Sequence, residues 1–341
     1  IWQKDKHELL HPFIRQHPEA VFIKLTDVPS KKDEQAIHDT AFNLAKEVFI
    51  ETPKSTKIRI TAKPNWTCNP LVDGKDAFEH RGINTDTFFI EGFLKGIRET
   101  GPQKMYIHEC ACPRDWAAHG WPQMAERNGF TLRDLTSKDF WEYKKGDDLR
   151  FVKVPNGNVF KEIAFQAPIG EQDTYLVNLA KLKSHGMGIT ASIKNLQGIS
   201  GKQFHQFCGG STSIFRQRGY DKRYHQYFHE DYIEEIQKLT EKHRKAGIPR
   251  WDKPDEKGYG GGFYMEQWVN RMLDSLSVTR TGLNLVEGIY GRDGDGFAGG
   301  PHDKKAMDFM INQVIFGLDP FRVDIIAHWL AGHEPGNFGL F

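Results

Sequence analysis

The feature that most constrains the fold of this chain is the alternation of short apolar runs with segments of helical spacing in its first 135 residues. Short apolar runs predict strands, and apolar residues at every third or fourth position predict helices. Strands that alternate with helices form a parallel sheet whose faces the helices cover. Predicted strands lie at 20–25, 57–62, 105–108 and 131–135, and predicted helices at 34–50, 86–99 and 116–128. We therefore predict an α/β fold with a mainly parallel or mixed sheet and helices on both faces.

The same patterns predict how the chain is organised. Residues 1–56 are interpreted as an N-terminal extension with one strand and one helix, and residues 57–341 as the main α/β domain. An insertion or lid is expected at about 202–262, where His, Arg, Tyr, Phe and Gly are frequent. The aromatic side chains of this insertion are a candidate docking face for a protein partner.

Charge and hydropathy exclude several classes of protein. The chain has 46 Lys and Arg against 45 Asp and Glu, a net charge of +1, so no basic field favours nucleic acid. No apolar run approaches the roughly 18 residues that a membrane helix needs, so we expect no membrane span. The sequence begins with Ile1, and we expect export to the periplasm or beyond, with the cytoplasm as the alternative.

The richest candidate site lies at 175–201. An apolar run there ends in Lys181, Lys183 and His185, and a turn with Gly186 and Gly188 leads to a helix-like segment. Backbone N–H groups at a helix N-terminus favour anions, and nearby lysines add to that preference. We predict a site for a phosphate or carboxylate, with His185 and Lys183 as catalytic residues. The alternative is a turn with solvated lysines.

Further polar residues end a neighbouring predicted strand. Lys63 and Asn65 follow the strand at 57–62, and the carboxyl ends of parallel strands meet at one rim of a sheet. We therefore expect them to meet Lys183 and His185 there, with His185 as a possible base. The predicted substrate-binding residues are Lys63, Asn65, Lys181, Lys194 and Asn195.

Two further segments are candidate metal sites. His108, Cys110 and Cys112 end another predicted strand, and thiolates with imidazole suit zinc, copper or iron. Asp293 and Asp295 lie in a glycine-rich turn whose oxygen ligands suit magnesium or calcium. We expect a metal ion, either iron, zinc or magnesium, as the cofactor. The alternatives are a buried free cysteine and an ordinary surface turn.

Three groups of segments resemble the family called domain of unknown function 362. They are a strand followed by Lys-Pro-Asn at 60–65, the lysine-rich segments 177–185 and 193–198, and the segments 287–289, 294–296 and 317–324. The resemblance runs from about residue 57 to the C-terminus. It implies an α/β domain that sometimes occurs beside iron–sulfur modules, and it brings no reaction with it. Ala180 and Glu287 depart from the family pattern, which often has Pro and Asp there.

The expected function combines these observations. We predict an enzyme that acts on a small anionic substrate with metal assistance and a possible redox link. The alternative is a non-catalytic metal-binding or anion-binding accessory, or a structural subunit of a larger redox assembly.

Overall fold

The computed structural model describes residues 4–67, 81–110, 116–117, 119–135, 138–185, 188–201, 204, 222–248, 262–293, 307–337 and 340–341. Its strands are β1 (Val21–Leu25), β2 (Arg59–Pro64), β3 (Lys104–Glu109), β4 (Thr131–Asp134), β5 (Leu149–Lys153), β6 (Glu162–Gln166), β7 (Thr174–His185), β8 (Gly188–Thr190), β9 (Leu283–Asp293) and β10 (Met307–Gly317). Its α-helices are α1 (Pro12–Gln16), α2 (Glu34–Val48), α3 (Thr87–Glu99), α4 (Trp121–Asn128), α5 (Ser192–Asn195), α6 (Tyr232–Lys245), α7 (Gly262–Val278) and α8 (Pro320–Leu330).

Eight of these strands form one sheet in the order β1-β10-β9-β7-β2-β3-β4, and β8 pairs with β7. The five strands from β9 to β4 are parallel to their neighbours, whereas β10 pairs antiparallel with both β9 and β1. β5 and β6 form a separate antiparallel pair. The predicted α/β fold with a mainly parallel sheet is confirmed.

β7 lies in the middle of the sheet and contributes to a different core on each face. Tyr175, Val177 and Leu179 belong to the core that also contains buried residues of α2 and α3. Ala180 and Leu182 belong to a core with α8, because successive strand residues point to opposite faces. Odd-numbered and even-numbered residues of β7 therefore lie on opposite faces of the sheet.

The strand before Asn65 lies two residues further along the chain than the sequence predicts. The sequence predicts that this strand ends at Ala62, but β2 continues through Lys63 and Pro64, which pair with Asn178 and Leu179. The missing N–H of Pro64 is tolerated because β3 pairs with β2 only as far as Ala62, and the next bond to β7 is donated by the N–H of Asn65 to the Leu179 carbonyl. Lys63 therefore lies inside the sheet rather than in a loop after it.

The next described element after β7 is a strand, not a helix. β8 begins at Gly188 and pairs antiparallel with β7, and α5 begins only at Ser192. Gly186 itself lies outside the described residues. The predicted helix N-terminus directly after β7 is therefore wrong, because the three-residue strand β8 lies before the helix.

The described part of the 202–262 stretch packs into the chain's own core. It consists of Phe204, a 3-10 helix at Lys222–Tyr227, α6 and the start of α7. Phe204, Tyr224, Tyr227 and Phe228 are buried there, so these four side chains are not available as a docking face. A partner that binds through other residues of this stretch stays a prediction. No described helix is long and apolar enough to cross a membrane.

Candidate functional site

Three polar residues lie side by side across the central parallel strands. Lys63 of β2 is the register partner of Asn178 of β7, and Asn178 is the register partner of Asn284 of β9. All three side chains are at most 1% exposed. Parallel strands in register place such residues on the same face of the sheet, so they form a buried polar row.

The ammonium of Lys63 is fully hydrogen-bonded to residues around this row. Its Nζ lies 2.7 Å from Glu109 Oε2, 2.6 Å from the carbonyl oxygen of Pro64 and 3.1 Å from Asn195 Oδ1. An ammonium has three hydrogens, and each has an acceptor here. Burial lowers the pKa of Lys63, and the charge of Glu109 offsets only part of that effect.

Asn195 connects Lys63 to the end of β2. Its Nδ2 donates to the Lys63 carbonyl and to Asn178 Oδ1, at 2.8 Å each, and its Oδ1 accepts from Asn65 Nδ2 at 3.1 Å. The structure thus brings together three of the predicted substrate-binding residues, Lys63, Asn65 and Asn195. We call these three residues, with Glu109 and Lys194, the Lys63 site.

Lys194 is the partly exposed cation of the Lys63 site. Within the described part of the chain, no carboxylate or other hydrogen-bond acceptor contacts its ammonium. Its positive charge contributes to the lowered pKa of Lys63. A cation without an acidic partner, next to a buried ion pair, is a suitable ligand for an external anion.

The short helix that carries Lys194 is held by a carboxylate of the protein itself. The N–H groups of Ser192 and Ile193 donate to Asp324 of α8, at 2.6 and 2.9 Å. Burial raises the pKa of Asp324 to about 7, although these two hydrogen bonds act in the opposite direction. An external anion was expected at these amides, but the side chain of Asp324 occupies them.

A second polar cluster lies on the other face of β7. Lys181 Nζ lies 2.5 Å from Glu287 Oε2 and 3.5 Å from the centre of the Tyr290 ring. The Tyr290 hydroxyl and Arg81 NH2 both donate to Asp86 Oδ2, at 2.5 Å each. We call these five residues the Asp86 network. Burial lowers the pKa of Lys181 and raises that of Glu287.

The predicted rim is therefore divided between two faces of the sheet. Lys181 and Lys183 lie on the face opposite to Asn178 and Lys63, because they differ from Asn178 by an odd number of positions. Lys183 Nζ donates to the carbonyl of Ile83 at 2.6 Å, and His185 is partly exposed at the end of β7. The expected convergence of Lys63 with Lys183 is wrong. The catalytic roles of Lys183 and His185 and the binding role of Lys181 stay predictions.

His108 is the buried member of the predicted thiolate–imidazole site. Its Nδ1 lies 3.2 Å from Gln166 Oε1, and Gln166 Nε2 donates to the Gly198 carbonyl at 3.1 Å. Since that carbonyl can only accept, Gln166 Oε1 faces the ring, and Nδ1 carries the hydrogen. Burial lowers the pKa of His108 to about 3, so the ring is neutral with its lone pair on Nε2.

The remaining metal candidates are only partly described. Cys110 is buried with Sγ 3.9 Å from the Leu135 carbonyl, and Asp293 is the partly exposed last residue of β9. Cys112 and Asp295 lie outside the described residues. Among the residues that the structure describes, no three His, Cys, Asp or Glu side chains converge as they would around a metal. The metal cofactor stays a prediction.

Sequence reasoning missed several residues that build the Lys63 site. Glu109 stands beside His108 at the end of a predicted strand, and Asn178 lies inside the apolar run that begins at Tyr175. A polar residue inside such a run is the signal that indicates a buried hydrogen-bond network. Gly198 was noted only as part of a motif. A Cβ at Gly198 would lie 2.2 Å from Glu109 Oε1 and 2.6 Å from Lys63 Cε, so the buried ion pair requires glycine there.

Residues 60–328 match the family described as Domain of unknown function (DUF362). This range contains the Lys63 site and the Asp86 network. No curated protein matches the chain. A crystal structure of a protein from Thermotoga maritima, solved by a structural genomics consortium, is similar at 9% identity with a TM-score of 0.41. The match covers 91% of this chain and 61% of the other, so this chain spans less than two thirds of that protein.

Proposed function

The chain belongs to the family described as Domain of unknown function (DUF362), and from its Lys63 site we propose that it is an enzyme that binds a small anionic substrate. The observation that carries the proposal is Lys194, a partly exposed cation with no acidic partner in the described residues, beside the buried pair of Lys63 and Glu109. Open parallel sheets place ligands at the carboxyl ends of their strands, where this site lies.

The buried pair would supply acid–base chemistry. A carboxylate and an ammonium 2.7 Å apart share a short hydrogen bond, and burial makes Lys63 a better proton donor than a solvated lysine. Glu109 or Lys63 would then move a proton while Lys194 holds the substrate's negative charge. Metal assistance remains part of the proposal and is tested in the turnover assay below, whereas a redox link stays a prediction.

A second candidate function is non-catalytic binding. All three hydrogens of the Lys63 ammonium already have acceptors. A lysine that is fully hydrogen-bonded in this way can hold the site rigid for a bound anion as well as carry a proton. The same site would then belong to an accessory that holds an anion without changing it.

Anion binding is tested by the effect of small anions on the melting temperature. Malate, citrate and inorganic phosphate are added to the wild-type protein and to Lys194→Gln. The matched control is Lys153→Gln, which removes the same charge from an exposed lysine at the end of β5. When the ligand concentration is about a hundred times the dissociation constant, the melting temperature of the wild type and of the control should rise by about 5 °C. Equal stabilisation of Lys194→Gln would contradict the proposal.

Turnover separates the enzyme from the accessory. The anion that binds best is incubated with the protein after chelation, with and without added Mg²⁺, Zn²⁺ or Fe²⁺, and is followed by NMR in D2O. An enzyme converts the ligand or exchanges one of its protons for deuterium, and Glu109→Gln should slow this by about a hundredfold or more. If the ligand is neither converted nor deuterated under any of the metal conditions, the result would favour a non-catalytic accessory.

A further inference from the structure

A chain of side-chain amides runs from β9 to the end of β2 through the Lys63 site. Its members are Asn284, Asn178, Asn195 and Asn65. The oxygen and nitrogen of an amide are distinguished by neighbours that can only donate or only accept. Here such neighbours fix every orientation in the chain.

The orientation of the amides is determined first at the β9 end of the chain of amides, by Asn284. The carbonyl of Leu318 can only accept, so the Asn284 atom that lies 3.1 Å from it is Nδ2. Asn284 Oδ1 therefore faces Asn178, whose Nδ2 donates to it at 3.1 Å. The same Nδ2 donates to the carbonyl of Ser192 at 2.9 Å, which independently requires a nitrogen at that position.

The same reasoning continues to the end of β2. Asn178 Oδ1 accepts from Asn195 Nδ2, which also donates to the carbonyl of Lys63. The ammonium of Lys63 can only donate, and it lies 3.1 Å from Asn195 Oδ1, in agreement with this orientation. Asn195 Oδ1 therefore accepts from Asn65 through Nδ2. Asn65 Oδ1 is left as an acceptor at the end of the chain of amides.

This acceptor and a neighbouring donor are buried without partners. Asn65 Oδ1 and Trp66 Nε1 are both inaccessible to solvent, and neither has a hydrogen-bond partner among the described residues. Trp66 is 1% exposed, and its backbone N–H is held by Glu109 Oε2 at 3.0 Å. Leaving such a buried group unpaired is unfavourable. A ligand that reaches these two residues would therefore gain from pairing them.

We infer that the substrate of the Lys63 site is a small anion that also carries a hydroxyl or amino group, whose hydrogen is donated to Asn65 Oδ1 while Lys194 binds the negative charge. The inference rests on the proposed function. An unsubstituted carboxylate offers only acceptors at neutral pH, so it would leave Asn65 Oδ1 unpaired. A buried water that pairs Asn65 is the competing explanation, and the test must separate the two.

Matched pairs of ligands provide the test. Malate is compared with succinate, and lactate with propionate, by isothermal titration calorimetry, since each pair differs by one hydroxyl group. The hydroxylated member should bind the wild-type protein about tenfold more tightly, which is the effect of one well-made hydrogen bond to a buried acceptor. The comparison within the wild type needs no variant, so it does not depend on whether a substitution folds.

The variant Asn65→Ala tests whether Asn65 causes the tighter binding of the hydroxylated ligands. It should bind both members of each pair, through Lys194, with similar and weak affinity. Equal binding of both members by the wild type would overturn the inference, because it would mean that a water, and not the ligand, pairs with Asn65 Oδ1. The proposed binding of anions would not be affected by that result. A preference retained in Asn65→Ala would also overturn it. If none of the four ligands binds and the anions of the melting experiment are also without effect, the proposed function itself fails.

Discussion

The two buried polar clusters on either side of β7 differ in whether their interactions are complete. In the Asp86 network the charges are matched within the cluster, since Lys181 contacts Glu287 and Arg81 contacts Asp86 at 2.5 Å each. The hydroxyl of Tyr290 joins the two pairs, because it donates to Asp86 while Lys181 lies over its ring. A network of this kind stabilises one arrangement of the strands and needs no ligand.

The Lys63 site has a matched pair of its own but does not end there. Beyond Lys63 and Glu109 lie the ammonium of Lys194 and the amide oxygen of Asn65, neither of which has a partner in the described residues. Buried polar groups in folded proteins are nearly always paired, so the exceptions are where a ligand is expected. This comparison supports our proposal that the Asp86 network is structural and that the Lys63 site binds the ligand.

The largest expected effect comes from breaking the Asp86 network. Lys181→Met leaves Glu287 buried without a counter-charge, and such a loss costs about 3–5 kcal/mol of unfolding free energy. Lys24→Met is the matched control, because it removes the lysine of an exposed pair with Glu47 and should cost about 1 kcal/mol or less. Urea unfolding at pH 7 measures both. Similar costs for the two variants would mean that the Asp86 network is not a stabilising core element.

An intermediate effect is expected from pH on the Lys63 face of the sheet. The unfolded chain protonates His108 near pH 6.5, but the folded protein keeps the ring neutral down to about pH 3. The folded state therefore binds fewer protons in this window, and its stability falls as the pH is lowered through it, by about 1.4 kcal/mol per pH unit. Urea unfolding of wild type and His108→Asn between pH 6.5 and 4.5 measures the difference. Equal slopes would show that the ring is protonated in the fold.

The smallest effect on stability is expected at the Lys63 site itself. Lys194→Gln removes a partly exposed cation without an acidic partner, so its unfolding free energy should stay within about 0.5 kcal/mol of the wild-type value. Its loss of anion binding should be large in comparison. A strongly destabilised Lys194→Gln would place Lys194 among the structural residues and remove the contrast between the clusters.

Much of the fold could be predicted from the sequence, and the site only in part. Apolar periodicity identified β1, α2, α3 and β3 within one or two residues of their observed ends. The sequence predicted a helix after β7 where β8 lies, because a glycine-rich segment precedes a hairpin strand as readily as a helix. The local pattern does not contain the pairing of β8 with β7 that decides between them.

For a related reason, the sequence could not predict that Lys63 lies on one face of the sheet and the two lysines of β7 on the other. Lys181 and Lys183 follow the same apolar run as Asn178, but one strand carries alternate residues to opposite faces. Which face holds the site depends on the register of β7 with β2 and β9, which is a long-range property. Lys63 and Asn65 do lie beside Asn195, but through the hydrogen bonds of Asn195 and not through the predicted rim with Lys183 and His185.

The most direct test is a crystal structure of the protein with bound malate. We predict a carboxylate of malate on Lys194 Nζ and its hydroxyl group within hydrogen-bond distance of Asn65 Oδ1, with the Asp86 network unchanged. An ordered water on Asn65 Oδ1, with malate absent from Lys194 or bound beside Lys181 and Lys183, would contradict the assignment of the Lys63 site as the functional one.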